Sequence, residues 1–469
     1  MTDGIGKRVG LVIMLAWLPA AGLQALPVFP GAQGFGTQTR AGRGGPVCQV
    51  SNLHDHGPGS LRACVEQQGP RMVVFTTGGT IRLEKNLTIA SPYISIYGQS
   101  APGDGIMITG GPSLTDEPFT IATHDVLIQY VRFRAGAADV PSCCRDALTI
   151  LGTESEQPPW NISGRRTYNV VLDHCSFSWG TDEILSTWYD VHDVTISNSI
   201  IGPSLFNGSN QGGPGSRGVL FGSRGSHSIS FHHNLVAHSR ERNPAIETGE
   251  DGVVDVVNNL FYNWGFNGAE IMGEYGEVNV NLVANLYLGG RDSNHSNSEI
   301  IARYNRRGYR LYLSGNRRVQ DALRPERLPI RPQFEGRAVR HWQQQARFRA
   351  PAISTVDAGQ LPRLLLPHVG ASLPRRDQVD RRVVADVLNR RGRIPNCVSP
   401  ADKGWEHGCT NNAGGWPHYA AGTPAPDRDR DGVPDAAERA LGLDPAVADA
   451  YRKTDVQGYT LLERWLYGR

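Results

Sequence analysis

Short β-rich runs recur along the middle of this chain, and their spacing constrains the fold more than any other feature. Val126–Phe133, Ala147–Ile150, Val170–Phe177, Val194–Ile201, Ile229–Val236, Val253–Tyr262 and Val278–Tyr287 are all strand-like. Their starts lie roughly 21 to 35 residues apart, often near 24, a spacing typical of stacked repeat units. Runs this short cannot bury a face of their own, whereas stacking coil upon coil buries a continuous core. No helical pattern of about 10–15 residues lies between them, which disfavours β–α–β units. A β-sandwich is the competing all-β architecture, because strand spacing alone admits it. Several runs pass from apolar residues into Asn or His: FHHNLV (231–236), VVNNLF (256–261) and LVANLY (282–287). A polar residue at equivalent positions of successive coils predicts a hydrogen-bonded ladder at the turn.

The flanks read differently. Lys7 and Arg8 precede a short apolar run, Val9 to Trp17, and small residues follow. This predicts a signal peptide over residues 1–25 and a secreted protein, extracellular or periplasmic; a buried N-terminal helix is the alternative. Nothing after residue 25 is long and apolar enough to span a membrane, and no nucleic-acid module is present. The net charge of +2 creates no global field, so a polyanionic partner would have to be bound by local arginines. Seven cysteines in a secreted chain predict disulfides and one left over. Cys48 with Cys64 and Cys397 with Cys409 are candidate pairs. One of the adjacent Cys143 and Cys144 could seek a distant partner, and Cys175 reads as a buried small hydrophobe. No CxxC pair exists, which argues against zinc. Residues 47–65 predict a turn and a short amphipathic helix, Gly59 to Gln67, with Ser60 as N-cap, closing the first coil. The main body is expected over residues 26–330. An irregular, arginine-rich segment (331–421) is expected to wrap it, and a tail of different composition follows (422–469).

The chemistry-bearing residues cluster in RDALTI (145–150), LDHCSFSWGTDEIL (172–185) and FHHNLVAHSRERNP (231–244). Stacked coils would bring Asp146, Asp182 and Glu183 into one groove, and gathered carboxylate oxygens suit Ca²⁺. The adjacent Asp182 and Glu183 would repel each other without a cation. Asp173, inside a strand pattern, reads as a turn terminator. His174, His232 and His233 adjoin Asn in strand-like runs and read as hydrogen-bonded structural residues rather than acid–base groups. A glycoside hydrolase would need a carboxylate pair, for which Asp173 with Asp182 is the available candidate.

FPGAQGFG (29–36), GPGSLRA (57–63), GGTIRL (78–83), IYGQSAPGDGIMI (96–108), DHCSFSWGTDE (173–183) and FHHNLVAHSRERNP occur in order, and together they resemble the bacterial pectate lyases of polysaccharide lyase family 1. The resemblance spans about residues 28 to 290. It implies an all-β, right-handed parallel β-helix with a calcium-lined groove. It also implies Ca²⁺-assisted β-elimination on an acidic plant cell-wall polysaccharide. On this resemblance Asp146 and Asp182 are calcium ligands. Ser186 occupies the position where the family often has a further aspartate, and Glu183 compensates. Arg242 matches the arginine placed to take the proton, and Arg217 matches the substrate-binding basic residue. Beyond Pro244, where the family frequently has arginines, this chain has Ala245 and Glu247, leaving fewer cations to face substrate carboxylates. Arginine is a poor base; it serves only where neighbouring positive charge disfavours its cation. A carboxylate clamp is the competing role for Arg242.

The tail carries an independent motif. Asp427, Asp429, Asp431, Gly432, Asp435 and Glu438 fit D-x-D-x-D-G-x₅-E, the pattern of an EF-hand calcium loop. DVQGYTLLERWL (455–466) resembles the closing half of such a unit. A small calcium-loop extension that stabilises or attaches is expected, on a monomeric enzyme. A non-catalytic polysaccharide-binding β-helix or adhesin, and a hydrolase on the same scaffold, are the alternative functions.

Overall fold

A computed structural model describes residues 1 and 26–468, apart from 140–144, 153–166, 207–214, 224, 250–251, 297–298, 304–305, 320–327, 336–338 and 402–408. The expected signal peptide, but for Met1, and Cys143 and Cys144 lie outside the described residues. Among the described residues no helix is long and apolar enough to cross a membrane.

The recurring runs form a right-handed parallel β-helix. Each full coil contributes one strand to each of three sheets, of 10, 10 and 9 strands. One coil reads Thr167–Asp173, Ser176–Ser178, Leu185–Trp188; the next reads Val191–Ser197, Ile200–Ile201, Val219–Ser223. Pairing between coils is parallel throughout, except where Arg317–Val319 meets Leu328–Pro329. The register stacks like on like: Val170 beside Val194, Ile229, Val254, Val280 and Leu311. All six are fully buried. Alternate residues of each short strand point inward, so the columns merge into one core running the length of the stack. This excludes the sandwich.

The turn from the first sheet to the second needs one residue in the left-handed region. Tyr130, His174, Asn198, His233 and Asn258 fill it, at φ of 55, 50, 51, 56 and 51°; Asn and His tolerate this conformation better than most. In the later coils the following residue is a buried Asn, and these asparagines build the expected ladder. The Asn234 amide donates to Asn259 (3.0 Å), Asn259 to Asn285 (3.0 Å) and Asn285 to Asn316 (2.9 Å). Each amide oxygen also accepts the backbone N–H of the preceding rung.

The first coil is closed as expected. Ser60 caps the helix Leu61–Val65 by accepting from Ala63, and Cys48 and Cys64 are bonded. Cys397 and Cys409 form the second predicted disulfide, and Cys175 is buried and free. The segment expected to be irregular is more ordered than its composition suggested. Ahead of it, within the expected main body, strands Tyr309–Ser314 and Arg317–Val319 continue the stack. Helices Leu361–Leu365 and Gln378–Asn389 then pack Leu361, Leu365, Val383 and Val387 on the outer face of the second sheet, against Ile200, Leu235, Leu260 and Leu286. Its arginine density hid an apolar stripe.

Asn259→Ala would take away the oxygen that accepts both the Asn234 backbone N–H and one of the Asn234 amide hydrogens, and would remove a donor to the Phe231 carbonyl. A loss on the order of 3 kcal/mol is expected, read as a lower denaturant midpoint. Unfolding at the wild-type midpoint would mean that the ladder contributes nothing net to holding the coils together.

Candidate active site

The third sheet and the turns leading into it carry the charged cluster. Asp146 precedes strand Leu148–Leu151, Glu183 precedes Leu185–Trp188, Arg217 precedes Val219–Ser223 and Arg242 precedes Ala245–Thr248. Successive coils thus present these side chains along one face. Asp146 is buried. Its Oδ1 accepts the Glu183 N–H (3.0 Å), and its Oδ2 accepts the Ser186 hydroxyl (2.5 Å) and the Thr149 hydroxyl (3.4 Å). Glu183 is buried beside it and receives the Arg242 guanidinium. Arg242 sits in the left-handed region at φ 59°. Its backbone is fixed by an N–H bond to Glu270 (3.0 Å) and by its carbonyl accepting from Val219 (2.7 Å).

Of the sequence-predicted residues, Asp146, Glu183, Ser186 and Arg242 are therefore brought together. Asp182 is paired with Arg217, which also lies 3.5 Å from Glu241. Two residues went unnoticed in the sequence. Glu270, one coil beyond Ala245 in register, holds Arg242 and pairs with Arg303, two coils away from Arg242. Arg303 thus returns a cation to the region where Ala245 and Glu247 had removed one. The only available signal was register: Ala245 pairs with Glu270, and Met272 with Arg303; no local motif marks either residue.

Crowded, buried carboxylates dominate the electrostatics. Burial raises Asp146. Burial and then Asp146 raise Glu183, outweighing the Arg242 guanidinium that pulls it down. Burial pushes Glu247 up to about 7, helped by Glu274 and Glu270 against Arg242. Burial alone would lower Arg242, but Glu183, Glu270, Glu247 and Glu241 together raise it. Arg217 is lowered by burial and by Arg242. Packed carboxylate and hydroxyl oxygens, with no nitrogen or sulfur donor among them, suit a hard divalent ion such as Ca²⁺.

Asp173 has another task. It accepts from Gln129 (3.0 Å), His174 (2.8 Å), Ser197 (2.8 Å) and Asn198 (2.8 Å) at the first turn. Burial opposes its charge, but His174 and these bonds outweigh burial and bring it down to about 2. It terminates a strand of the first sheet, whereas Asp182 leads into the third, so the two do not make a hydrolase pair. His232 is buried against the Gln33 carbonyl (3.0 Å) and lowered by burial to about 4, as a structural histidine would be.

No protein-family model matches the chain. The probable pectate lyase C of Aspergillus flavus is 34% identical over 448 residues, covering 94% of this chain and 93% of that protein. The probable pectate lyase C of Aspergillus fumigatus is 32% identical over 465 residues, covering 97% and 96%. The chain belongs to the pectate lyase family. The crystal structure of Jun a 1, the major allergen from cedar pollen, is similar in fold. Its TM-score is 0.50 at 16% identity, and the match covers 72% of this chain and 92% of that one. The nearly full-length matches to pectate lyases are fungal, so they carry the family but not the bacterial branch that the motifs resembled.

The raised carboxylates set a pH dependence. A carboxyl whose folded pKa lies above its unfolded one stabilises the fold below the unfolded value and loses that contribution as pH rises through the folded one. With divalent cations chelated, the thermal midpoint should fall between about pH 5 and about pH 8, and fall less in Glu183→Gln. A level midpoint across that range would mean that these carboxyls titrate as ordinary exposed ones.

Proposed function

We propose that this pectate lyase family member is a secreted enzyme that cleaves pectate, an acidic plant cell-wall polysaccharide, by β-elimination. The observation that carries the reading is the buried Asp146–Glu183 carboxylate pair with Arg242 laid against it on the next coils. In this reading Asp146, Glu183 and the Ser186 hydroxyl hold Ca²⁺, and Asp182 joins them when it leaves Arg217. The ion, when bound, would neutralise the substrate's C6 carboxylate and stabilise charge that develops as C5 loses its proton. The chain acts as a monomer on a polymer laid across the coils.

The reaction uses no water. The C5–H bond breaks, its electron pair forms the C4–C5 double bond, and the C4–O bond breaks with its pair leaving on oxygen, which takes up a proton to depart as a hydroxyl, so that no net proton is gained or lost. Arg242 is proposed to take the C5 proton. Its acidic neighbours favour its protonated form, so it can act as a base only when positive charge offsets Glu183 and its companions, and best at alkaline pH. The same neighbours favour the competing role, a guanidinium that clamps a substrate carboxylate. Arg217, released from Asp182, would bind a substrate carboxylate. Glu247 and Glu270 make the groove more acidic than one lined by arginines, so binding a polyanion here would depend strongly on the cation.

Ultraviolet absorbance of the unsaturated product on polygalacturonate tests the reaction class. Reducing ends without unsaturation would indicate a hydrolase, and binding without product a non-catalytic β-helix. Arg242→Lys should lose kcat by orders of magnitude with KM little changed, because a base acts only in the transition state. Arg217→Ala should mainly raise KM. Near-normal kcat with raised KM in Arg242→Lys would make Arg242 a clamp.

A further inference from the structure

The tail is docked on the flank of the β-helix, and the acidic loop lies inside the docking surface. Met72, Val74, Tyr97, Leu127 and Val171 project from the outer face of the first sheet and pack against Val433, Leu443, Ala450, Leu462 and Leu466. A buried ion pair reinforces this contact: Arg43 Nε lies 2.9 Å from both Glu463 oxygens, and the Arg43 guanidinium also donates to the Pro27 and Val28 carbonyls. Within the loop, carboxylate oxygens of Asp427, Asp429 and Asp431 all lie within 4.8 Å of one another.

A second observation points to a ligand. Glu438, on the helix Asp435–Leu441 that follows the loop, is 0% exposed, and neither of its carboxylate oxygens has a hydrogen-bond partner. Asp427 Oδ1 and Asp429 Oδ2 are buried and unpartnered as well. The charges acting on Glu438 are Asp429, Asp431, Asp427 and Asp435. A buried carboxylate with neither oxygen satisfied costs several kcal/mol unless a cation completes it. Asp435 is engaged differently: it accepts the Arg428 N–H (2.9 Å) and lies 3.4 Å from Arg439. It shapes the loop without offering a free oxygen pair.

We propose that Asp427, Asp429, Asp431 and Glu438 bind one Ca²⁺, distinct from any ion of the groove, and that this ion clasps the tail to the first sheet. Four carboxylates and no nitrogen or sulfur donor select a hard cation, and a flexible oxygen cage favours Ca²⁺ over the smaller Mg²⁺. Gly432, at φ +91°, provides the tight turn. The clasp follows from shared residues. Asp427 Oδ2 accepts both the Gly432 N–H (3.1 Å) and the side chain of Gln49 (2.7 Å), which lies on strand Val47–Val50. Asp431 holds the N–H groups of Asp449 (3.2 Å) and Ala450 (2.7 Å), and Ala450 belongs to the apolar contact. A Cβ on Gly432 would come within 3.3 Å of Val47 and 3.4 Å of Val74. The loop cannot open without loosening the side chains that hold the tail down. This inference does not depend on the catalytic reading.

The test uses the full-length protein and Ca²⁺ alone, and needs no lyase activity. Arg428 and Arg430 are exposed within the loop and offer trypsin sites. Wild type and the groove variant Glu183→Gln should both gain trypsin protection and a higher thermal midpoint on adding Ca²⁺. Placed in the Glu183→Gln background, where the groove carboxylate is gone, Glu438→Gln and Asp429→Asn should need about tenfold more Ca²⁺ or lose the response. Hydrogen exchange should slow in Val47–Val50 and Arg71–Phe75 as well as in the loop. A wild-type response in the variant that folds, Asp429→Asn if Glu438→Gln does not, would overturn the site. Exchange that slows in residues 427–438 alone would overturn the clasp.

Discussion

Parallel pairing of one coil on the next is the constraint on which everything else in this molecule rests. Strands of two to seven residues are too short to be stable as a lone sheet. Pairing fixes the register, and register turns a one-dimensional sequence into columns of equivalent side chains. Inward columns supply the core, and outward columns supply three long faces. The asparagine ladder works at the corner where the backbone turns and would otherwise leave N–H groups buried without partners. Each rung satisfies the main chain of its neighbour, so a slip of one residue would break every rung at once. A buried polar column costs little when complete and much when broken, which makes it a register lock rather than a mere source of stability.

The same register explains why the site is acidic and why its arginines are tethered. Residues separated by a coil in sequence are neighbours in space, so carboxylates on separate coils accumulate against one another. Within one strand they would point to alternate faces; across coils they cannot avoid each other. Arg242 and Arg303 are drawn into this field and spend their charge on Glu183 and Glu270. A cation of higher charge density is the simplest way to release them.

The architecture was legible because it repeats: spacing, inward apolar pattern and the Asn-bearing turns all report the same unit several times. Asp146, Glu183 and Arg242 were legible because they sit in motifs. Glu270 and Arg303 were not, since their importance comes only from register, which the variable length of the turns between the second and third sheets obscures. The pairing of Asp182 with Arg217 was equally hidden, because it joins the approaches to two successive strands of the third sheet and so depends on register. The helix Gln378–Asn389 was masked by the arginines on its outer face, although Val379, Val383 and Val387 recur at helical spacing.

The three faces also bear on where a long polymer can lie. The first sheet is roofed by the tail over its early strands. Farther along it is covered by a strap in which Phe348 bonds Asn281 (3.0 and 3.1 Å) and Arg347 reaches Asp255 (2.6 Å). The second sheet is roofed by the two helices after residue 360. On the outer face of the third sheet, among the described residues, Leu220, Ala245 and Met272 with Trp188 form a small apolar patch, and Ile301 lies in the same column beyond Glu270. The rest of that face bears the carboxylates and arginines. Covering two faces with apolar contacts stabilises a narrow stack that has much surface for its volume. It also leaves a charged strip running across the coils, whose length suits a polymer and whose excess of carboxylates would require cations between it and a polyanionic chain.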